Sequence, residues 1–206
     1  FGNISVSGTT TISLGHDNSL QIDQLGFEPG VAYGWMESVG DVTITKGSGS
    51  SNIVANGIAA DHLTINGAGS GLISIRSIDT VNGFTFDGTA MGRGGEYFSA
   101  NTIWSHSGDV TFHYADGANA FIDVSGIDTQ GSFILTGSSL VTGDVSIGTL
   151  SATQSVTMDF GGMSGSATFG TIFTEGEFVL DASGASNLDV KIATLLMGTG
   201  VVTLGS

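Results

Sequence analysis

The sequence predicts an all-β chain, a single right-handed parallel β-solenoid of about eight coils of 21–26 residues with two main strands per coil. Three observations carry that reading: apolar pairs two residues apart that recur at near-constant spacing, a second apolar pattern that repeats in step with the first, and a composition with 34 Gly, one Pro and no Cys.

The first pattern is clearest in the second half of the chain. Val110/Phe112, Phe133/Leu135, Val156/Met158 and Phe178/Leu180 are followed by Val201, which is expected to open a further coil; the pair starts lie 23, 23, 22 and 23 residues apart. Val42/Ile44, Leu63/Ile65 and Phe84/Phe86 extend the same column backwards. Side chains two apart on a strand share a face, so each pair marks a strand with one buried side.

The second pattern adds a third apolar residue three positions on: Ile53/Ala55/Ile58, Ile73/Ile75/Ile78, Phe98/Ala100/Ile103, Ile122/Val124/Ile127, Val145/Ile147/Leu150, Ala167/Phe169/Ile172 and Val190/Ile192/Leu195. A step of three breaks the strand period and marks a corner, after which a side chain points inward again. Ile12/Leu14 with Leu20/Ile22/Leu25 make one more coil near the start, and Ile4/Val6 a partial one. The short intervals between patterns leave no room for a crossover helix, so parallel strands must wind directly onto one another. At ~4.8 Å per coil the rod is roughly 40 Å long. No window shows a helical period, and Gly, Ser and Thr interrupt every candidate.

Composition supports this and narrows function. Gly supplies the conformations that frequent tight turns need. Charged residues are only 11%, too few for a disordered chain, and the lone Pro29 rules out collagen. Nineteen acidic residues face four cations, Lys46, Arg76, Arg93 and Lys191, giving a formal charge of −15. Nucleic-acid binding needs clustered cations for counterion release, and anionic membranes need the same, so neither is expected as a partner. No apolar run is long enough to insert in a membrane as a helix. Without Cys there is no disulfide framework, and stability must come from stacking. The chain starts at Phe1 with neither an initiator Met nor a signal peptide, and it reads as a piece of something longer.

The whole of 1–206 reads as one domain with two non-repeat insertions, 26–39 and 88–97. These hold Phe27, Tyr33, Trp35, Met36, Met91, Arg93 and Tyr97, the aromatic, Met and Arg composition of contact surfaces. They fold back as caps over the rod or meet another molecule. Among outward positions, Asp159 and Asp181 take equivalent places in adjacent coils, where two carboxylates repel unless a cation or proton joins them. They bridge Ca²⁺, act as an acid and nucleophile pair, or simply face water. An outward column, Thr43, Thr64, Thr85, Thr111, Ile134, Thr157, Val179 and Val202, is mostly Thr and partly resembles the ladders of ice-binding solenoids. The four histidines show no metal-ligand spacing, and Gly-rich pieces such as 92–95 precede no helix that would cradle a phosphate.

Runs such as Gly143-Asp144-Val145-Ser146-Ile147-Gly148-Thr149-Leu150 and Val179-Leu180-Asp181-Ala182-Ser183-Gly184-Ala185 resemble the strand repeats of bacterial surface-layer proteins and secreted adhesins, though the calcium-binding nonapeptide G-G-x-G-x-D is not present. The resemblance covers essentially the whole chain. It implies secretion to the cell surface, self-assembly into a layer or filament, and often Ca²⁺ dependence. The expectation is therefore an extracellular structural protein that is not an enzyme, with itself as partner. A binding module recognising cell-surface glycans through Tyr33, Trp35 and Tyr97 comes second, and a polysaccharide-degrading β-helix third.

Overall fold

A computed structural model describes residues 4–22, 35–38, 40–114, 119–137 and 142–204. The described residues form strands and no helix: β1 (Ile4–Val6), β2 (Thr10–Ser13), β3 (Leu20–Ile22), β4 (Trp35–Ser38), β5 (Val42–Thr45), β6 (Ile53–Ser105), β7 (Val110–Tyr114), β8 (Ala120–Thr129), β9 (Phe133–Thr136), β10 (Thr142–Ala152), β11 (Val156–Asp159), β12 (Ser164–Ala182) and β13 (Leu188–Leu204). Every strand pairing among them is parallel, in one continuous sheet that closes on itself as a β-solenoid.

The two expected ladders are in register. On the first face, Val42 pairs with Leu63, Phe84 with Val110, Val110 with Phe133, Phe133 with Val156 and Val156 with Phe178. On the second, Leu20 pairs with Ile53, Phe98 with Ile122, Ile122 with Val145 and Val145 with Ala167. Beyond the three-residue corner runs a third, shorter ladder, in which Ile103, Ile127, Leu150, Ile172 and Leu195 pair in succession. A coil is therefore three-sided. β6 shows the winding most directly: 53 residues of extended chain pair first with β3, β4 and β5, then with β7 and β8.

Inside the rod the columns make one apolar core, from Leu20 to Ala182, with most side chains fully buried. Its widest part is aromatic. Phe112 lies 5.6 Å from Phe84, 6.0 Å from Phe86, 5.2 Å from Phe98 and 6.2 Å from Phe133, in tilted or edge-on contacts favourable for aromatic rings. These rings lie around a coil lengthened to 26 residues, from Phe84 to Val110.

Ladder registers locate the irregular stretches. From Ile22↔Ala55 to Trp35↔Gly57, thirteen residues of chain on one coil face two on the next, so the extra length of 26–39 falls between Ile22 and Trp35. Trp35 and Met36 themselves belong to β4, on the third ladder. From Gly88↔Tyr114 to Glu96↔Ala120, eight residues face six, and the backbone of 88–97 stays extended as part of β6. This stretch widens the coil by two residues.

Ile4 and Val6 pair with Met36 and Ser38, so the partial coil at the start belongs to the third ladder. One expected placement is corrected. Val201 does not stand over Phe178. A bulge between Thr174 and Glu177 shifts the register, so Gly200 pairs with Phe178 and Val201 with Val179, leaving Val201 54% exposed. A one-residue slip turns a side chain to the opposite face. Gly176 sits in that bulge because a Cβ there would run into the carbonyl oxygen of Gln154.

Candidate functional site

Of the residues expected at an interaction surface, Phe27 and Tyr33 lie outside the described residues. Trp35 and Met36 are placed by backbone on β4, and Met91 and Arg93 within β6. Tyr97 is 43% exposed and donates its hydroxyl hydrogen to Asp123 Oδ2 at 3.1 Å, one coil away. Partial desolvation first, and the Asp123 carboxylate second, raise the pKa of this phenol.

Tyr97 borders a depression of about 440 Å³ on the outward side of the second ladder. Its floor is low because two consecutive rungs present serine: Ser74 and Ser99 alternate with buried Ile73, Ile75, Phe98 and Ala100, and Ser99 Oγ donates to Ser74 Oγ at 3.2 Å. Along the rod the floor is bounded by Val54 on one side and by Asp123, paired with Ser99, on the other. Along the strands it is bounded by Tyr97 two residues before Ser99, and by Asn101 and Arg76 two residues after the serines. A half-exposed ring, two amides, a guanidinium, a carboxylate and three hydroxyls thus line one hollow.

Asp159 and Asp181 are paired neighbours on adjacent coils, as their spacing indicates. Each carboxylate turns back onto its own chain: Asp159 Oδ1 accepts from the Gly161 N–H and Asp181 Oδ1 from the Ser183 N–H, both at 2.9 Å. The Ser183 backbone N–H is the main reason the Asp181 pKa lies below the usual carboxylate range. Among the described residues no group of three or more His, Asp or Glu side chains gathers as a metal centre would require. The column also carries Thr45, Asn66, Asp87, His113 and Thr136, with Asn66 Nδ2 donating to Thr45 Oγ1 at 3.1 Å and His113 Nδ1 beside Thr136 Oγ1 at 2.8 Å. His106 Nε2 pairs with Asp79 Oδ1 at 2.8 Å.

A column of buried hydroxyls was not anticipated from the sequence. Ser38, Thr80, Ser105, Thr129 and Thr174 close the third ladder, each buried and each donating to a backbone carbonyl near the corner that follows. Thr129 Oγ1 donates to the Gly108 carbonyl at 2.6 Å and accepts from the Gly131 N–H at 3.0 Å, and Ser38 and Thr174 receive the N–H of Gly40 and Gly176 likewise. The legible signal is a recurring S/T-x-G, Ser38-Val39-Gly40, Thr129-Gln130-Gly131 and Thr174-Glu175-Gly176, placed just after the third apolar column. Corner polar groups with no water must be paired internally, and these hydroxyls do that.

Both end coils are less covered than the rest. β13 pairs with β12 along its length, and among the described residues it has no strand on its other side. Its inward residues Leu188, Val190, Ile192 and Leu195 are only partly buried, while their counterparts one coil earlier, Ala167, Phe169 and Ile172, are at most 1% exposed. Leu196 at 55% and Met197 at 44% add exposed apolar surface beside Phe173. At the opposite end β1, β2 and β3 pair on one side with β4, β5 and β6, and Ile4, Ile12 and Leu14 are likewise only partly buried.

No protein-family model matches the chain, and no curated protein or solved structure is significantly similar to it.

Proposed function

We propose that this chain is a self-assembling structural protein of the cell exterior, a subunit of a surface layer, filament or matrix, and that it acts without catalysis. The observation that carries the reading is a partly covered apolar set in each end coil: Ile4, Ile12 and Leu14 at one end, Leu188, Val190, Ile192 and Leu195 at the other. An unpaired parallel edge with an open apolar ladder is a template for another strand. A second copy stacked coil on coil satisfies both. Such a heterologous contact does not close on itself and generates a filament. The acidic surface, with a formal charge of −15, keeps flanks apart and favours growth through the ends.

Light scattering after size exclusion, with negative-stain microscopy, tests this. The expected result is a mass that rises with protein concentration and rods of one uniform width. Leu196→Lys combined with Val201→Lys, both at exposed positions, should leave the circular dichroism unchanged and hold the chain as monomer. A monomer at every concentration and ionic strength, or assembly indifferent to both lysines, overturns the reading. A binding role at the depression beside Tyr97 is compatible with it, because the residues lining that depression lie on a flank between the end coils.

A further inference from the structure

We propose that the depression over Ser74 and Ser99 is a binding site for a segment of neutral oligosaccharide. The inference is independent of end-to-end assembly, since the site belongs to the flank of the middle coils.

The hollow exists because of side-chain size on consecutive rungs. Two serines stand where the same outward column carries Val54 before them and Asp123 after them. At about 440 Å³ it falls within the range of small-ligand sites. Its chemistry is that of a polyol receptor. Sugar rings present axial C–H groups to an aromatic face and hydroxyls to planar hydrogen-bonding groups. Tyr97 supplies the ring, and the Asn101 amide, the Arg76 guanidinium and the Asp123 carboxylate supply donors and acceptors in both senses. The Tyr97 hydroxyl is tied to Asp123, which fixes the ring's position before a ligand arrives and lowers the entropy lost on binding.

Charge selects among saccharides. One cation and one carboxylate face the hollow, so it has no local excess of either sign, and the chain as a whole is strongly acidic. An anionic uronate or sialylated chain meets repulsion on approach, and a neutral hexose chain does not. Along the rod the strand-built floor spans the two serine rungs between Val54 and Asp123, which suits a short segment of such a chain.

Isothermal titration with cellopentaose and mannopentaose as probes tests the site. At least one should bind, and Tyr97→Ala should weaken it tenfold or more. Ser99→Gln, which fills the floor without touching the core, should do the same. Trp104→Ala removes an aromatic that is 49% exposed on a different ladder and should leave affinity unchanged. Light scattering on the same variants should show wild-type assembly, which separates failure of this site from failure of the filament reading. Absence of heat with both sugars at roughly 10 mM, a range that detects millimolar affinity, overturns the proposal. So does binding that Tyr97→Ala and Ser99→Gln leave intact.

Discussion

Asp159 and Asp181 stand in register on neighbouring coils, yet each carboxylate is engaged by a backbone N–H two residues further along its own chain. The pair is built into two turns. Asp181→Ala removes a turn acceptor and should lower the melting temperature at pH 7, while Asp181→Asn keeps an acceptor but loses the charge that the turn favours, and should fall between the parent and Asp181→Ala. Because the folded pKa of Asp181 lies below the unfolded 3.8, its stabilisation is present above that pH and is lost as pH falls through the folded value. The difference between parent and Asp181→Ala should therefore shrink in thermal melts near pH 2.

Lys46 gives a dependence of the same sign at high pH. Its side chain is buried, with Nζ donating to the Ser70 carbonyl at 3.3 Å, and desolvation brings its pKa down to about 8 from 10.5. Between those values the unfolded chain binds more protons, so stability should climb as pH rises from 8. Tyr114 turns the curve over. Burial raises its pKa above the unfolded 10.0, so the unfolded state alone ionises and stability falls above pH 10. Melts from pH 7 to 11 should show a maximum near pH 10, and Lys46→Met should flatten the rising limb.

The Tyr114 hydroxyl is buried without a hydrogen-bond partner among the described residues, while its ring lies 5.4 Å from Phe86. An orphaned buried hydroxyl costs ~1–3 kcal/mol. Tyr114→Phe should keep the ring contact and raise stability by about 1 kcal/mol, or roughly 2–4 °C in Tm. It should also remove most of the decline above pH 10.

Phe112 joins four rings across two ladders, from Phe84 to Phe133. Phe112→Ala should cost ~3–5 kcal/mol. Coils in a solenoid are coupled mainly to their neighbours. The loss should therefore appear first as faster amide hydrogen exchange in β7 and in the flanking rungs of β6 and β9, with β12 protected to a later stage.

Gly165 has φ 126° and faces Gly143 on the adjacent rung, where a Cβ would meet the Gly143 carbonyl oxygen. Gly165→Ala should destabilise by at least ~2 kcal/mol, from backbone strain and separation of the two coils together. Chemical denaturation of the variant checks the figure.

The sequence by itself determined the architecture and most of the register. Apolar residues two apart, repeated at one interval, can be buried only by parallel strands stacked coil on coil, and the pairs Val110↔Phe133 and Val145↔Ala167 follow directly from those intervals. It also placed Asp159 beside Asp181. Tertiary structure decided what depends on contacts between rungs. The bulge at Glu175 and Gly176 turned Val201 outward, because a shift of one residue at a corner is invisible to a pattern with tolerated slips. The third ladder showed as a single apolar residue per coil, since its second inward position holds small residues, Ala60, Ala152 or a Ser or Thr whose hydroxyl is paired with a backbone carbonyl. The hollow beside Tyr97 arose from the relative sizes of Ser74, Ser99, Val54 and Asp123, residues 20 to 25 apart in sequence whose adjacency exists only once the coils are stacked.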